Sequence, residues 1–332
     1  MLAKLKGLFT PEAIAKALAP LPPLETTMMD NFFKNRPTHP LPVIGVQELT
    51  PVVQTVPVVR RDGTPIAFDN EAVSMQFIAP LPVKVKIPVT ASELNDLKVI
   101  FGNQAAVSAW RIRKVDQIRK AVRDTTEGMC AVVATTGKLT WPVELDGGGR
   151  ETYEVDYGSL LSYTPAALLT TSSKLPDVYK LLRGMELVVK QAGLGGNVEF
   201  WAGSDVVAVL LGIVEQYVST TENRPYRLTL EQGKVCVGNY VIHFMDETYP
   251  SPEDKTTWLP KMPAKAIFCV ATNQQGSVWY CAIDSISNNN QPTTLHIVPV
   301  VRDDDSGIML IGQAKPLPAR PSKATCKAIV VA

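Results

Sequence analysis

Proline decides where this chain cannot be helical. The 332 residues include 26 prolines, gathered at 20–23, 37–57, 80–88 and 249–263. Each removes a backbone donor and resists helix, so the clusters mark extended arms and loops. A compact enzyme has little use for so much extended chain, whereas a protein that reaches over its neighbours does. The length exceeds what one small core needs and predicts two domains, or one large mixed domain with extensions.

Between the prolines the pattern alternates in type. Thr10 and Pro11 supply an N-cap and first-turn proline for a short helix ending before Pro20. Residues 20–57 then read as an extended arm. Val52–Val56, Val58–Val59 and Val83–Ile87 are β-rich, with a turn at Arg61-Asp62-Gly63, and read as a projecting hairpin. Val107, Trp110, Val115, Ile118, Val122, Met129 and Val132 then form a one-sided apolar stripe, predicting a helix over 105–134, about 45 Å at 1.5 Å per residue. Its other face sets Arg111, Arg113, Lys114, Arg119, Lys120 and Arg123 against Asp116, Asp124 and Glu127. Thr125, Thr126 and Gly128 weaken it, and a bend is expected there. A hairpin follows across Asp146–Arg150, then a helix over 176–192 closed by Gly193, a strand over 198–202, and a helix capped by Ser204 running through Tyr217. From Tyr226 onwards the chain is β-rich. The sum is an α+β protein with a long spine helix and separate excursions.

The charge and the chemistry are both quiet. Net charge is +1, without the basic excess of a dedicated nucleic-acid binder. Cys130, Cys236, Cys269, Cys281 and Cys326 are an odd, scattered set among apolar neighbours, which predicts buried reduced thiols. His39, His243 and His296 stand apart from one another and from metal-ligand spacing. Ala202-Gly203-Ser204-Asp205 reads as a helix start, Gly193–Gly196 as a helix end, and Asp303–Gly307 as a solvated turn. Lysines interrupt the apolar residues of 1–9, so no signal peptide is expected, and no run is long enough for a membrane helix. No catalytic, cofactor or metal residues are predicted.

The order of these segments resembles one family. Phe9–Ile14 followed by Asp30-Asn31-Phe32-Phe33 is similar to the opening of the phage-lambda type of major head protein. Arg111–Lys114 resembles its spine helix and Tyr153–Gly158 its following strand. Trp258-Leu259-Pro260, Tyr280–Asp284, Asp303–Ile311, Lys315–Pro318 and Lys327–Ala332 resemble its closing strands in the same order. The proline runs at 20–23 and 250–252 depart from the pattern.

The resemblance implies the Hong Kong 97-type capsid fold of tailed bacteriophages. The expected segments are an N-terminal arm (1–52), an extended loop (53–88), a peripheral domain (89–160), an axial domain (161–265), and C-terminal strands (266–332) returning to the core. It implies hexamers and pentamers closing an icosahedral shell around double-stranded DNA. Scaffold, portal and decoration proteins are the implied partners, with assembly in the host cytoplasm and residence in the virion, and no membrane. Arg60, Arg61, Asp62, Phe68, Phe77 and Ile78 are the expected contacts of the extended loop with a neighbouring subunit. Arg111, Arg113, Lys114 and Lys120 are the expected lumen-facing cations, touching DNA non-specifically. The alternatives are an encapsulin-like nanocompartment shell and a phage tail or adaptor protein. The structured opening also predicts that the chain serves without maturation cleavage.

Overall fold

The computed structural model describes residues 9–45, 77–90, 92–93, 96, 104–145, 147–194, 196–220, 228–254, 256–302 and 307–332. Within it the chain divides into two units, one built from Met1–Ile44, Ala79–Gly128 and Ser277–Pro318, the other from Gly45–Ile78, Met129–Gly276 and Ala319–Ala332.

In the first unit helix α1 (Pro11–Leu18) begins as its sequence dictates, with the Ala13 N–H donating to Thr10 Oγ1 at 3.3 Å. Helix α2 (Thr27–Asn31) follows, and Phe32 and Phe33 are fully buried behind it. Burying two such rings contributes about 1.5–3 kcal/mol each, enough to seat the arm. The arm then runs Thr38–His39 parallel to Ser277–Cys281, with Thr38 beside Tyr280.

Helix α3 (Gln104–Thr136) carries the long stripe. Val107, Trp110, Val115, Ile118, Val122 and Met129 are buried as the spacing requires. No break interrupts it: Thr125 and Thr126 donate their hydroxyls to the carbonyls of Ala121 and Val122, and the helix continues through Gly128. One-sidedness holds only for the first two-thirds, since every residue from Thr126 to Ala131 is buried. Glu127, expected on the polar face, is among them.

The stripe of α3 packs with Phe9, Ile14 and Ala17 onto a three-stranded antiparallel sheet ordered His296–Val301, Gly307–Ala314, Val83–Thr90. Here the hairpin expectation is corrected. Val83–Thr90 pairs along its whole length with Gly307–Ala314, and Val83, Val85, Ile87 and Val89 pack against this unit's own core. The alternating Val-Lys-Val-Lys-Ile pattern did signal a half-buried strand, but its partner lies more than 200 residues away in sequence. The rest of the expected hairpin, 53–76, lies outside the described residues, as does most of the Asp303–Gly307 turn.

The second unit is organised on a seven-stranded mixed sheet, ordered Leu161–Ser162, Thr325–Ile329, Ala266–Ala271, Val198–Ala202, Tyr240–Phe244, Lys234–Val237 and Leu228–Glu231. Its third strand, Ala-Ile-Phe-Cys-Val-Ala, is buried at every residue, which is why it reads as a continuous apolar run rather than an alternation. Helices α4 (Leu175–Gln191) and α5 (Ser204–Thr220) join the strands in one core. Gly193 closes α4 with φ +82°. Ser204 is the first residue of α5 and not its cap: the Asp205 and Val206 amides donate to the Ala264 carbonyl instead. Gly203 is required there, because a Cβ would lie 2.3 Å from the Pro263 carbonyl oxygen.

Four of the five cysteines are buried thiols, and Cys236 is half-buried in its strand. The expected hairpin is present as Lys138–Glu144 paired with Arg150–Asp156. Trp141 stacks on Tyr249 of a second ribbon, Thr248–Pro250 with Trp258–Pro260, and the Arg150 guanidinium donates to the Glu253 carbonyl.

Candidate functional site

The N-terminal arm is held by a group the sequence does not advertise. Thr26 precedes α2 but its side chain caps nothing, its hydroxyl donating to Asp30 Oδ2 at 2.8 Å. The amides of α2 are instead taken by Glu127, which is 4% exposed. Its Oε1 accepts the Met28 N–H at 2.6 Å and its Oε2 the Met29 N–H at 3.0 Å. A carboxylate at a helix N-terminus meets both unbonded N–H groups and the positive end of the dipole. This is a tertiary cap, reaching back 99 residues along the chain.

The basic face of α3 is more neutralised than its composition implies. Lys114 Nζ lies 2.9 Å from Glu93 Oε1, which also accepts from Trp110 Nε1 at 2.9 Å. Burial alone would raise the Glu93 carboxyl, but these two donors outweigh it and hold it below its ordinary range. Asp116 takes both Arg119 (3.0 Å) and Lys120 (2.9 Å). Arg119 also donates to the Pro22 carbonyl at 3.0 Å, a second tie to the arm. Of the four expected lumen cations, Arg113 and Lys120 are exposed, while Arg111 and Lys114 are half-buried. Arg111 has its Nε buried without a hydrogen-bond partner. With Glu127 turned inward, the outward acidic count on this segment falls to Asp116 and Asp124.

Of the expected loop contacts, Arg60, Arg61, Asp62 and Phe68 lie outside the described residues. Phe77 is 61% exposed and Ile78 half-buried. Other large apolar side chains also meet solvent, among them Trp258 at 64% and Leu230 on the edge strand Leu228–Glu231.

The titratable cluster of the second unit is structural in its geometry. Glu186, 7% exposed, accepts from Tyr240 Oη at 2.6 Å and Arg183 at 2.6 Å and pairs with Lys190, so it ties α4 to the strand Tyr240–Phe244. Burial opposes its ionisation, but the three donors prevail and hold it at about 2. His243 stacks on Trp201 with centroids 4.5 Å apart, and His296 meets Ser287 Oγ at 3.0 Å. Among the described residues no group of three His, Cys, Asp or Glu side chains could hold a metal ion, and no helix is long and apolar enough to cross a membrane.

This architecture is shared. The putative capsid protein of a prophage in Escherichia coli CFT073 superposes with TM-score 0.57 at 15% identity, covering 96% of both chains. A phage-related protein from Bordetella bronchiseptica RB50 gives 0.49 at 10% identity with 96% of each chain covered. The cyanophage A-1(L) capsid subunit gives 0.46 at 13% identity, covering 98% of this chain and 99% of that one. No curated protein sequence matches the chain. The first of these structures defines the class: a mixed helix-and-sheet subunit of the Hong Kong 97-type phage capsid fold. The family model described as phage major capsid protein E matches residues 10–330, and the chain belongs to that family. It is a capsid shell protein.

Proposed function

We propose that this shell protein assembles as hexamers and pentamers into an icosahedral phage head enclosing double-stranded DNA, acting structurally and without a catalytic step. The observation that carries the reading is the family match across nearly the whole chain. The extended loop, 53–82 once the strand Val83–Thr90 is returned to its own unit, reaches a neighbouring subunit. Phe77, exposed at the loop's end, supplies part of that contact. Affinity there comes from buried apolar surface repeated around each ring, since exposed charge pairs such as Arg60, Arg61 and Asp62 would offer contribute only about 0–1 kcal/mol each. The α3 cations face the lumen, with Arg113 and Lys120 the exposed pair. Scaffold and portal are the expected partners, and assembly takes place in the host cytoplasm before the subunit enters the virion. Negative-stain microscopy of the purified chain tests the reading. Closed shells of uniform size are expected, and rings, tubes or dispersed subunits under all assembly conditions would overturn it.

A further inference from the structure

A cavity of about 180 Å³ opens in the first unit beside the end of α1 and one face of α3. Arg119 and Arg123, one helical turn apart, line it together with Thr126, Tyr280 and Thr294. The two guanidiniums are not equally committed. Arg119 has Asp116 and the Pro22 carbonyl. Arg123 makes no ion pair among the described residues, and its NH1 donates to the thioether sulfur of Met29 at 3.8 Å. A thioether is a weak acceptor for a group with five N–H donors, so Arg123 keeps most of its donor capacity for another acceptor.

The neighbouring carboxylates do not fill that role. Asp116 is shared between Arg119 and Lys120, while both oxygens of Glu127 are engaged by the Met28 and Met29 amides. Thr126 spends its proton on the Val122 carbonyl, and Thr294, which also lines the cavity, brings a second threonine side chain to its wall. Two guanidiniums on one concavity match a tetrahedral dianion better than a single carboxylate, because the planar fork of Arg123 can bond two phosphate oxygens while Arg119, its Nε and NH2 held by Asp116 and Pro22, adds its remaining N–H groups and its charge.

We propose that this cavity is a phosphate site, in which Arg119 and Arg123 bind one phosphate group and Thr294 orients it. The group is either free phosphate or a backbone phosphate of packaged DNA; the second source rests on the reading that the α3 cations face the lumen. Calorimetric titration of the purified full-length chain with inorganic phosphate is the test, with acetate at equal ionic strength as the competing anion. Saturable phosphate binding is expected, weakened about tenfold or more in R123Q, intermediate in R123K, and unchanged in K180Q on helix α4 of the second unit. R123K keeps the charge and guards against a folding defect in R123Q. Displacement of phosphate by a short DNA duplex would assign the site to DNA, and phosphate binding without displacement would assign it to the free anion. Absence of saturable phosphate binding, equal binding of acetate, or undiminished affinity in both Arg123 variants would overturn the site while leaving the shell reading intact.

Discussion

Replacing Glu127 by Gln should loosen the start of α2 without dislodging the arm. Each carboxylate oxygen takes one backbone amide, at 2.6 and 3.0 Å, in a buried setting. Hydrogen bonds to a charged group contribute about 1.5–3 kcal/mol each, and a buried amide left unbonded costs about 1–3 kcal/mol. Glutamine keeps one oxygen but turns an NH2 group towards the other amide, so the loss should be about 2–4 kcal/mol. Phe32 and Phe33 remain buried, and the midpoint of their combined contribution of about 3–6 kcal/mol lies above that of the loss. The effect should therefore be local. Hydrogen exchange at the Met28 and Met29 amides should accelerate roughly 30- to 1000-fold at about 1.4 kcal/mol per decade, while the amides of α3 before Val122 hold their protection. Acceleration below about threefold at both amides, with α3 unchanged, would show that aromatic burial alone fixes the arm and that the tertiary cap contributes nothing.

Further outcomes follow from the same geometry. Glu186 ionises well below its ordinary 4.5, so the unfolded chain takes up its proton first as pH falls; its stabilisation, at most a few kcal/mol, is present above about pH 4.5 and lost towards pH 2. E186Q should flatten that acid limb in urea titrations at stepped pH. G312A places a Cβ 2.0 Å from Ile118 Cγ2 in the first unit's core and should cost about 1–3 kcal/mol, with I118A in the same chain costing less than the sum of the two alone in a double-mutant cycle. Replacing 58–76 by a short Gly-Ser turn, which leaves Val83–Thr90 in its sheet, should give a folded subunit by circular dichroism that elutes as a monomer; closed shells from that variant would refute the loop's role. Changing Arg111, Arg113, Lys114 and Lys120 to Gln should leave shells assembling while lowering retained DNA by nuclease-protected nucleic-acid content. Unchanged retention would make the face solvated surface only.

The local periodicities were legible in the sequence, and the long-range pairings were not. The α3 stripe, the hairpin at Lys138–Asp156, α4 with its glycine stop and the strand Val198–Ala202 each carry a signal within a few residues. Val83–Thr90 showed its alternation but not its partner, because strand pairing across more than 200 residues leaves no local mark. Glu127 was misplaced for a related reason. A glutamate on a charged helix reads as solvated face, and only the tertiary fold brings the Met28 and Met29 amides to it. Ser204 has the right chemistry for a cap, but the Ala264 carbonyl reached the α5 amides instead. The resemblance to coat proteins rested on collinear order, a global property that survives where single motifs are weak.

The same distant pairing sets a clock on synthesis. Until Gly307–Ala314 has been made, Val83–Thr90 has no strand to lie against and the apolar stripe of α3 has no finished sheet to cover. At about 5–20 residues per second, the ribosome needs roughly 10–40 s to travel from Thr90 to Gly307. Throughout that interval the growing chain cannot complete the unit that carries its arm. The discontinuous first unit is thus among the last parts of the chain to be completed, although its arm is the first to be made.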